Sequence, residues 1–343
     1  MATNILVTGG CGFIGCNLVE RLLQGGAQVR VFDDLSREGS AVNRRWLETL
    51  GYDDALTFIY QDVRDVQAVQ EAMAGVEAVY HFAAQVAVTT SVSQPRHDFE
   101  VNTWGTLNVL EAARRLDSPP LIVFTSTNKV YGATADVSIR ELETRYDYVD
   151  RPFGISEEQP LDFHSPYGCS KGSADQYVHD YARIYDLPTV VLRQSCIYGL
   201  HQFGNEDQGW VAHFVIAALR DEPITIFGDG KQVRDLLYIT DLLDLFELVL
   251  ENPGRVAGEI YNVGGGRERT ISIWQEFGLL LSELMGREID VSYGDWRPGD
   301  QRVYVSDIRK IRATLGWSPQ VTVKDGVRRL LSWLREKGVG VSN

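Results

Sequence analysis

The chain of 343 residues is 44% hydrophobic and 23% charged, and its formal net charge is −14. That charge disfavours nucleic acid or an anionic membrane as a partner, because phosphates would be repelled over most of the surface. No apolar run reaches the ~18 residues of a spanning helix, the start MATNILVTGG lacks the basic region of a signal peptide, and the four cysteines show neither metal-ligand nor disulfide spacing. We therefore expect a reduced, cytoplasmic protein, long enough for a large α/β unit with a smaller lobe.

The beginning of the chain has the pattern of a strand, a glycine-rich turn, a helix and a second strand. Apolar runs at Asn4–Thr8 and Gln28–Phe32 predict buried strands, and the spacing of 17–24 predicts a helix between them. The turn before that helix carries three glycines spaced G-x-x-G-x-x-G, which are Gly9, Gly12 and Gly15. Glycine at such a turn lets the backbone approach a pyrophosphate, which sits on the free N–H groups of the helix N-terminus.

An acidic pair, Asp33 and Asp34, follows the second predicted strand. Asp33 is placed to accept hydrogen bonds from the adenosine ribose hydroxyls, which favours NAD over its 2′-phosphorylated form. A glycine-rich turn alone also occurs in ordinary strand–helix connections. The turn, the helix and the correctly placed acid together predict a dinucleotide site.

The alternation of strands and helices continues through the first half of the chain. Further strands are predicted at 56–60, 78–84, 121–125 and 189–193, and helices at 66–74, at 99–116 and from Ser165 to about Tyr185. Repeated units of this kind predict an α/β fold with a Rossmann-type, doubly wound parallel sheet. Ligands of such sheets bind beyond the carboxyl ends of the strands, which is where five candidate residues fall: Gly9, Asp33, Asp62, Ala83 and Thr125.

A tyrosine and a lysine open the longest predicted helix. Tyr167 and Lys171 are four residues apart, so both project from one helical face. A lysine ammonium and a positive nicotinamide ring nearby would lower the phenol pKa from its ordinary value of about 10. Thr127, just after the strand at 121–125, would complete a proton path to a substrate hydroxyl. Such a pair is usually a solvated helix face, but downstream of a dinucleotide fold it predicts a catalytic base.

Four stretches of the sequence resemble one protein family. They are Ser-Thr-Asn-Lys-Val-Tyr-Gly at 126–132, Leu-Asp-Phe-His-Ser-Pro-Tyr-Gly-Cys-Ser-Lys at 161–171, Asp-Gln-Gly-Trp-Val at 207–211 and Gly-Lys-Gln-Val-Arg-Asp at 230–235. With the glycine spacing, they resemble the extended short-chain dehydrogenase/reductases, in the branch of nucleotide-sugar epimerases and dehydratases. Within that branch they are most similar to the CDP-tyvelose (CDP-paratose) 2-epimerases. The general resemblance runs from about Asn4 to Trp333.

The resemblance implies a role for each matching residue. Tyr167 would be the catalytic base and acid, Lys171 its partner and Thr127 the supporting hydroxyl. NAD would be bound by Tyr167 and Lys171 together with Gly9, Gly12, Phe13, Ile14, Gly15, Asp33, Asp34, Asp62, Val63, Ala83, Ala84, Gln85, Asn102 and Thr125. The substrate would be bound by Thr127, Asn128, Cys196, Arg234, Arg297 and Asp300. In that set Arg234 and Arg297 would hold the diphosphate, since a guanidinium fork suits phosphate oxygens, and Asp300 would lie near its ribose.

One position departs from the family pattern. Many relatives carry Arg-x-x-Asn-x-Tyr-Gly after the strand at 189–193, and their Asn touches the substrate. Here the run is Arg-Gln-Ser-Cys-Ile-Tyr-Gly, with Cys196 at that place. A thiol cannot replace a carboxamide as donor and acceptor, so we expect a different sugar or a different orientation of the sugar.

Three alternative functions are open. A dehydratase needs acids beside the strand-end hydroxyl, but Asn128 and Lys129 occupy those positions, which disfavours dehydration. A nucleotide-sugar 4-epimerase would use the same tyrosine chemistry on another carbon, and only the finer resemblance separates it from a 2-epimerase. A non-catalytic dinucleotide-binding protein would keep the fold, but Thr127, Tyr167 and Lys171 are intact. The six histidines show no ligand spacing, so we expect no metal.

The resemblance also implies a reaction and a domain organisation. Transient oxidation to a keto-sugar and hydride return would leave tightly bound NAD regenerated at each turnover. An NAD-binding domain is expected over 1–198 plus about 236–263, and a nucleotide-sugar lobe over about 199–235 plus 264–343. Many relatives pair through helices equivalent to 102–116 and 167–185, so a homodimer or homotetramer is expected.

Overall fold

The computed structural model of the chain describes residues 3–297 and 300–339. The strands are β1 (Asn4–Thr8), β2 (Gln28–Phe32), β3 (Leu56–Ile59), β4 (Ala78–His81), β5 (Leu121–Thr127), β6 (Ile139–Glu141), β7 (Tyr146–Tyr148), β8 (Thr189–Gln194), β9 (Cys196–Tyr198), β10 (Ile224–Phe227), β11 (Val233–Tyr238), β12 (Ile260–Val263), β13 (Thr270–Ser272), β14 (Val291–Gly294) and β15 (Val303–Tyr304). The ends of the predicted domains at 1–2 and 340–343, and the Pro-Gly pair between Arg297 and Asp300, lie outside the described residues.

The helices alternate with the strands in the first half of the chain, and further helices occur in the second half. They are α1 (Phe13–Gln24), α2 (Ser40–Glu48), α3 (Val66–Met73), α4 (Val88–Ser93), α5 (Pro95–Phe99), α6 (Gly105–Arg114), α7 (Ser165–Tyr185), α8 (Trp210–Arg220), α9 (Ile239–Glu251), α10 (Pro253–Val256), α11 (Phe277–Met285), α12 (Arg309–Leu315) and α13 (Val323–Glu336). A π-helix, Glu100–Trp104, joins α5 to α6. In the described part of the chain, no helix combines the length and apolar character that crossing a bilayer requires.

A seven-stranded parallel sheet in the order β12-β8-β5-β4-β1-β2-β3 confirms the predicted Rossmann-type fold. The strand order reverses direction beside β1, as in doubly wound sheets. The central strands are buried on both faces, which explains why they read as continuous apolar runs. Helices α3, α6 and α7 pack on one face through a core that includes Val69, Leu110 and Val178. On Tyr80 of β4, the hydroxyl donates to the Phe246 carbonyl of α9 at 2.9 Å.

The chain divides into two compact units. The first contains the sheet and its helices and comprises 3–130, Ser165–Arg193 and Leu243–Tyr261. The second comprises Tyr131–His164, Gln194–Leu242 and 262–339. This division places 131–164, 194–198, 236–242 and 262–263 in the second unit, whereas the sequence analysis assigned them to the NAD-binding domain. Residues 196–198 and 236–238 belong together because β9 pairs with β11.

The second unit has small sheets of its own. Strand β11 lies between β13, which is antiparallel to it, and β15, which is parallel to it. Strands β10 and β14 form a parallel pair, and β6 and β7 form an antiparallel hairpin. On Tyr131 the hydroxyl donates to Asn262 Oδ1 at 2.7 Å, and Gln301 Nε2 donates to the Gly132 carbonyl at 2.5 Å. These bonds connect segments that are far apart in the sequence.

A buried ion pair joins β8 to α7. Arg193 Nε and Nη2 donate to the two oxygens of Asp175 at 2.9 and 2.8 Å, and the side chains are 3% and 0% exposed. We predict that Asp175→Asn lowers the free energy of unfolding by about 3–5 kcal/mol, because it leaves the buried guanidinium without its counter-charge. Urea denaturation measures the change.

The matched control lies on the same helix. Asp180 pairs with Arg183 on the exposed face of α7, with 48% and 60% of the side chains exposed. Asp180→Asn should cost under about 1 kcal/mol, because surface pairs contribute little. Equal costs for the two variants would contradict the assignment of the buried pair as a structural requirement.

Candidate active site

The glycines of the turn after β1 differ in their surroundings: two are closely packed within the protein and one has an open side. A Cβ on Gly9 would lie 2.6 Å from the Ala83 nitrogen, and one on Gly15 would lie 2.3 Å from the Gly9 carbonyl oxygen, so packing within the protein requires both glycines. A Cβ on Gly12 would meet only the Gly9 oxygen, at 3.2 Å. Gly12 is also the N-cap of α1 and has no side-chain cap bond. Its open side and the N–H groups of the first turn, at Phe13 and Ile14, form a cradle that fits a pyrophosphate.

The acid after β2 is oriented by backbone bonds. Asp33 Oδ2 accepts from the Cys11 nitrogen at 2.9 Å and Oδ1 accepts from the Leu35 nitrogen at 2.8 Å. Burial raises the pKa of this carboxyl, and the two backbone bonds oppose the shift. Asp34 is turned toward its own loop, where it accepts from the Ser36 nitrogen and hydroxyl. The turn and the acid after β2 are therefore joined directly.

Sequence reasoning missed the residue that holds the other side of the turn. Asn43 of α2 is 2% exposed, and its Nδ2 donates to the Cys11 carbonyl at 3.0 Å. Helix α2 was not predicted, because its sequence Ser-Ala-Val-Asn-Arg-Arg-Trp-Leu-Glu is largely polar. The polar residue Asn43 on the buried face of that helix was the available signal.

The pair after β3 is also bonded to neighbours. Asp62 forms an ion pair with Arg64 at 2.6 Å. Partial burial raises the pKa of Asp62, but hydrogen bonds from Arg64 outweigh it and the net shift is downward. Val63 is buried, and its carbonyl accepts from Asn108 Nδ2 at 2.9 Å.

The loop after β4 is held by a polar network. On this loop the Ala83 nitrogen donates to Thr8 Oγ1 at 3.3 Å, and Ala84 follows it. The Gln85 nitrogen donates to Asn102 Oδ1, and Asn102 Nδ2 donates back to the Gln85 carbonyl, both at 2.9 Å. Asn102 lies in the π-helix that interrupts the predicted helix at 99–116, and π-bulges are frequent at functional sites. The π-helix thereby places the side-chain amide of Asn102 against the loop after β4.

Tyr167, Thr127 and Lys171 come together at the carboxyl end of β5. Tyr167 is 9% exposed and its phenol is hydrogen-bonded to Thr127. Lys171 Nζ donates to the Thr125 carbonyl at 2.8 Å and lies 4.2 Å from the centre of the Phe124 ring. Asn128 follows Thr127 and is buried too. The structure therefore brings the predicted tyrosine, lysine and hydroxyl into one site.

The proton equilibria at this site differ from the simple expectation. Burial raises the pKa of Tyr167 to about 12, with the Thr127 bond and Arg37 opposing the shift. Burial lowers the pKa of Lys171 to about 7, opposed by Asp175 and Asp98. Burial therefore outweighs Thr127 and Arg37, the two groups that favour the phenolate of Tyr167. Arg37, an exposed residue in the loop after β2, was not singled out by the sequence analysis.

The remaining predicted residues lie in the second unit. Arg234 of β11 is 6% exposed, and its Nη2 donates to Asp300 Oδ1 at 2.7 Å. The guanidinium of Arg297 lies 3.8 Å from the centre of the Phe227 ring and 3.1 Å from Glu206 Oε1. Cys196 is the first residue of β9. The structure therefore brings Arg234 and Asp300 together, whereas Arg297 contacts Phe227 and Glu206.

Residues 3–297 and 300–339 contain no group of three or more His, Cys, Asp or Glu side chains arranged to hold a metal ion. His81, the histidine closest in sequence to the site loops, bonds Thr8 Oγ1 at 2.7 Å and Thr106 Oγ1 at 3.0 Å, and burial lowers its pKa to about 3. It therefore acts as a neutral, hydrogen-bonded core residue.

The chain belongs to the family described as GDP-mannose 4,6 dehydratase, whose pattern it matches over residues 6–330. It is 44% identical over 338 residues to CDP-paratose 2-epimerase of Salmonella typhi, which covers 96% of this chain and 98% of that protein. It is 32% identical to a putative UDP-glucose 4-epimerase of Methanocaldococcus jannaschii, with 96% of this chain and 98% of that protein covered. These relatives confirm the resemblance seen in the sequence.

Solved structures of a nucleotide-sugar epimerase and a nucleotide-sugar dehydratase are also similar to this chain. UDP-glucuronic acid 4-epimerase from Bacillus cereus, in complex with UDP-glucuronic acid and NAD, is similar with a TM-score of 0.83 and 28% identity, covering 98% of this chain and 100% of that one. The dTDP-glucose 4,6-dehydratase DesIV from Streptomyces venezuelae, with NAD bound, has a TM-score of 0.82 and 30% identity, with 97% of each chain covered.

The depressed pKa of Lys171 predicts a pH-dependent stability. In the unfolded chain the amine titrates near 10.5 and in the folded protein near 7. The folded protein therefore binds fewer protons between these values, and the stability of the native chain rises with pH across that window. We predict that Lys171→Met, which cannot titrate, loses about 2 kcal/mol relative to the native chain between pH 7.5 and pH 9.5. Urea denaturation at both pH values measures it, and a constant difference would contradict the assigned burial cost.

Proposed function

We propose that the protein is an NAD-dependent nucleotide-sugar 2-epimerase of the CDP-tyvelose (CDP-paratose) type. The observation that carries the proposal is the phenol of Tyr167, hydrogen-bonded to Thr127 at the carboxyl end of β5 with Lys171 one turn along α7. A hydroxyl-bonded phenol suits the removal of a proton from an alcohol. The 44% identity to CDP-paratose 2-epimerase supports inversion at carbon 2.

NAD fits the residues of the first unit. The open side of Gly12 and the first turn of α1 would hold the pyrophosphate, the oriented carboxylate of Asp33 the adenosine ribose, and Asp62 with Val63 the adenine edge. Ala83, Gln85 and Asn102, with Thr125 at the end of β5, would line the remainder. When bound, NAD would supply reversible hydride transfer to and from the sugar carbon.

The side chains of this chain handle the proton. Tyr167 takes the proton of the sugar hydroxyl as a base and returns it as an acid, and Thr127 connects the phenol to that hydroxyl. Arg37 stabilises the phenolate electrostatically, in opposition to burial. Lys171, held on the Thr125 carbonyl, would also donate a hydrogen bond to the nicotinamide ribose. The flat keto-sugar is then free to present either face.

The second unit supplies the residues proposed for the sugar nucleotide. Arg234 and Arg297 would bind the diphosphate, because guanidinium groups match phosphate oxygens, and Asp300 would remain near the ribose. Arg234 would hold phosphate while one nitrogen stays bonded to Asp300. With Cys196 in place of a carboxamide, the sugar would be oriented by other groups, of which Asn128 is the candidate carboxamide next to Thr127.

A nucleotide-sugar 4-epimerase is the second candidate. It would use the same side chains, and the relatives named UDP-glucose 4-epimerase support it at 32% identity. A non-catalytic dinucleotide-binding protein is the third candidate, and the assembled Tyr167, Thr127 and Lys171 weigh against it. Dehydration is disfavoured because Asn128 and Lys129 follow the strand-end hydroxyl and supply no carboxylic acid.

The setting is also part of the proposal. We assign the enzyme to the cytoplasm, and the absence of a disulfide among the four cysteines of the described chain, Cys11, Cys16, Cys169 and Cys196, supports a reducing compartment. We assign it a homodimer or homotetramer formed through α6 and α7, supported by the exposed side chains of Tyr177, Ile184 and Tyr185 on α7.

Isotope retention tests the reaction. The enzyme is incubated with CDP-, GDP- and UDP-hexoses in deuterated water, and the product sugars are identified by NMR and mass spectrometry. Since hydride leaves and returns without meeting solvent, we predict inversion at carbon 2 of a CDP-hexose with the original hydrogen retained. Solvent deuterium on the inverted carbon would overturn the mechanism, inversion at carbon 4 with retention would favour the second candidate, and no turnover on the panel would favour the third.

Removing the phenol oxygen of Tyr167 tests whether this residue is the catalytic base. Tyr167→Phe keeps the ring that packs in the site and removes only the ionisable hydroxyl, so we predict intact fold and bound nucleotide with turnover reduced by ~10²–10⁴-fold. Tyr293→Phe, on β14 at 55% exposure and outside the proposed oligomer surface, is the control and should retain near-normal turnover. Initial rates and the nucleotide released on denaturation are the measurements. Near-normal turnover in Tyr167→Phe would assign the base to another group.

A further inference from the structure

Asp98 is a fully buried carboxylate that the proposed reaction does not use. It lies in α5, is 0% exposed, and precedes the π-helix that carries Asn102. A carboxylate removed from water is costly unless it is well bonded. Its place in the protein therefore has to be explained by its partners.

Three hydrogen bonds to Asp98 come from three different parts of the first unit. Ser170 Oγ donates to Oδ2 at 2.5 Å, and Gln85 Nε2 and Asn102 Nδ2 donate to Oδ1 at 2.7 and 3.2 Å. Asn102 Nδ2 also lies 3.0 Å from Ser170 Oγ. The carboxylate thus joins the loop after β4, the π-helix and the first turns of α7 in one cluster. All three donors are neutral, so none of these hydrogen bonds supplies a counter-charge to the carboxyl group.

The cluster adjoins the reactive pair. Ser170 stands between Tyr167 and Lys171 in α7, its Oγ is 3.2 Å from the Tyr167 carbonyl oxygen, and its own carbonyl accepts from Thr103 Oγ1 at 3.0 Å. The hydrogen bond from Ser170 to Asp98 therefore fixes the part of α7 that carries Tyr167 and Lys171. The charge of Asp98 also affects the pKa values of both residues.

We propose that Asp98 is a positioning residue of the Tyr167–Lys171 pair, whose hydrogen bonds hold the start of α7 against the loop after β4 and whose buried carboxyl group acts electrostatically on the Lys171 amine. The inference rests on the proposed function, because it assigns Asp98 to the same site. The same negative charge disfavours the phenolate of Tyr167, so the base stays protonated until other groups offset it.

The other charged groups around the pair act as follows. Arg37, from the loop after β2, favours the phenolate of Tyr167. Asp175, on α7 itself, favours the protonated form of Lys171 and is bonded to Arg193. His81, from β4, is neutral and is itself held so by burial and by Lys171. Asp98 is the group whose charge acts on both residues of the pair.

The test is a direct titration of Lys171 that does not depend on turnover. The full chain is labelled with 13C at lysine Cε, and the Lys171 resonance is assigned by its absence in Lys171→Met. The nucleotide content of every sample is measured and matched. In Asp98→Asn the titration midpoint should fall by about one pH unit, because a nearby negative charge is lost. In Ser170→Ala, which removes a hydrogen bond and keeps the charge, the midpoint should stay where it is.

The pH profile of turnover is the second measurement. Removing the charge lowers the pKa of both residues, so both limbs of the kcat/KM profile should move to lower pH in Asp98→Asn, whereas Ser170→Ala should lose rate without moving them. Asp98→Ser, smaller and also neutral, replaces the Asn variant if that variant does not fold. An unmoved Lys171 midpoint in the neutral variants, or an equal movement in Ser170→Ala, overturns the proposal. Absence of epimerase turnover in the native chain would refute the proposed function and leave the lysine titration interpretable.

Discussion

Burial of ionisable groups at the carboxyl ends of the parallel strands is the constraint on which the rest of this structure depends. Desolvation disfavours charge, and it moves the pKa of Lys171 to about 7 and that of Tyr167 to about 12. The same effect holds His81 neutral beneath the site. Each group is retained because it has a polar partner: the Thr125 carbonyl for Lys171 and the Thr127 hydroxyl for Tyr167. The protonation states of Lys171 and Tyr167 therefore depend on a small number of hydrogen bonds.

The second unit uses a buried carboxylate in a related way. Asp235 of β11 is 0% exposed, and burial raises its pKa. It accepts hydrogen bonds from the Ser195 hydroxyl and from the Gly266 and Ser306 nitrogens. Three loops are thereby fixed around the strand that also carries Arg234. In both units, a carboxylate saturated by neutral donors holds the segments that present the proposed ligand residues.

Much of the first unit could be predicted because its signals are local. Strands β1 and β2 were predicted with the bounds that the structure has, and α7 was predicted from its start at Ser165 to Tyr185. The glycine spacing identified the turn after β1, where close packing requires glycine at Gly9 and Gly15. Helices α4, α5, α9 and α10 were not predicted, and neither were α2, whose polar sequence hides a buried Asn43, and the π-helix at Glu100–Trp104, whose hydrogen-bond pattern leaves no period in the sequence. Arg37 and Asp98 were missed because their neighbours are distant in the chain.

The sequence by itself determined the alternation of strands and helices, the strand-end positions of the candidate residues and the family to which the chain belongs. These follow from periodicity and short motifs, which act over a few residues. Only the tertiary structure decided which groups are desolvated and which are bonded to one another. Ser170 meets Asp98 across 72 positions of sequence, and Thr8 meets His81 across 73. Proton affinities at the site depend on such long-range contacts, because burial and neighbouring charge are properties of the packed chain and of no single segment.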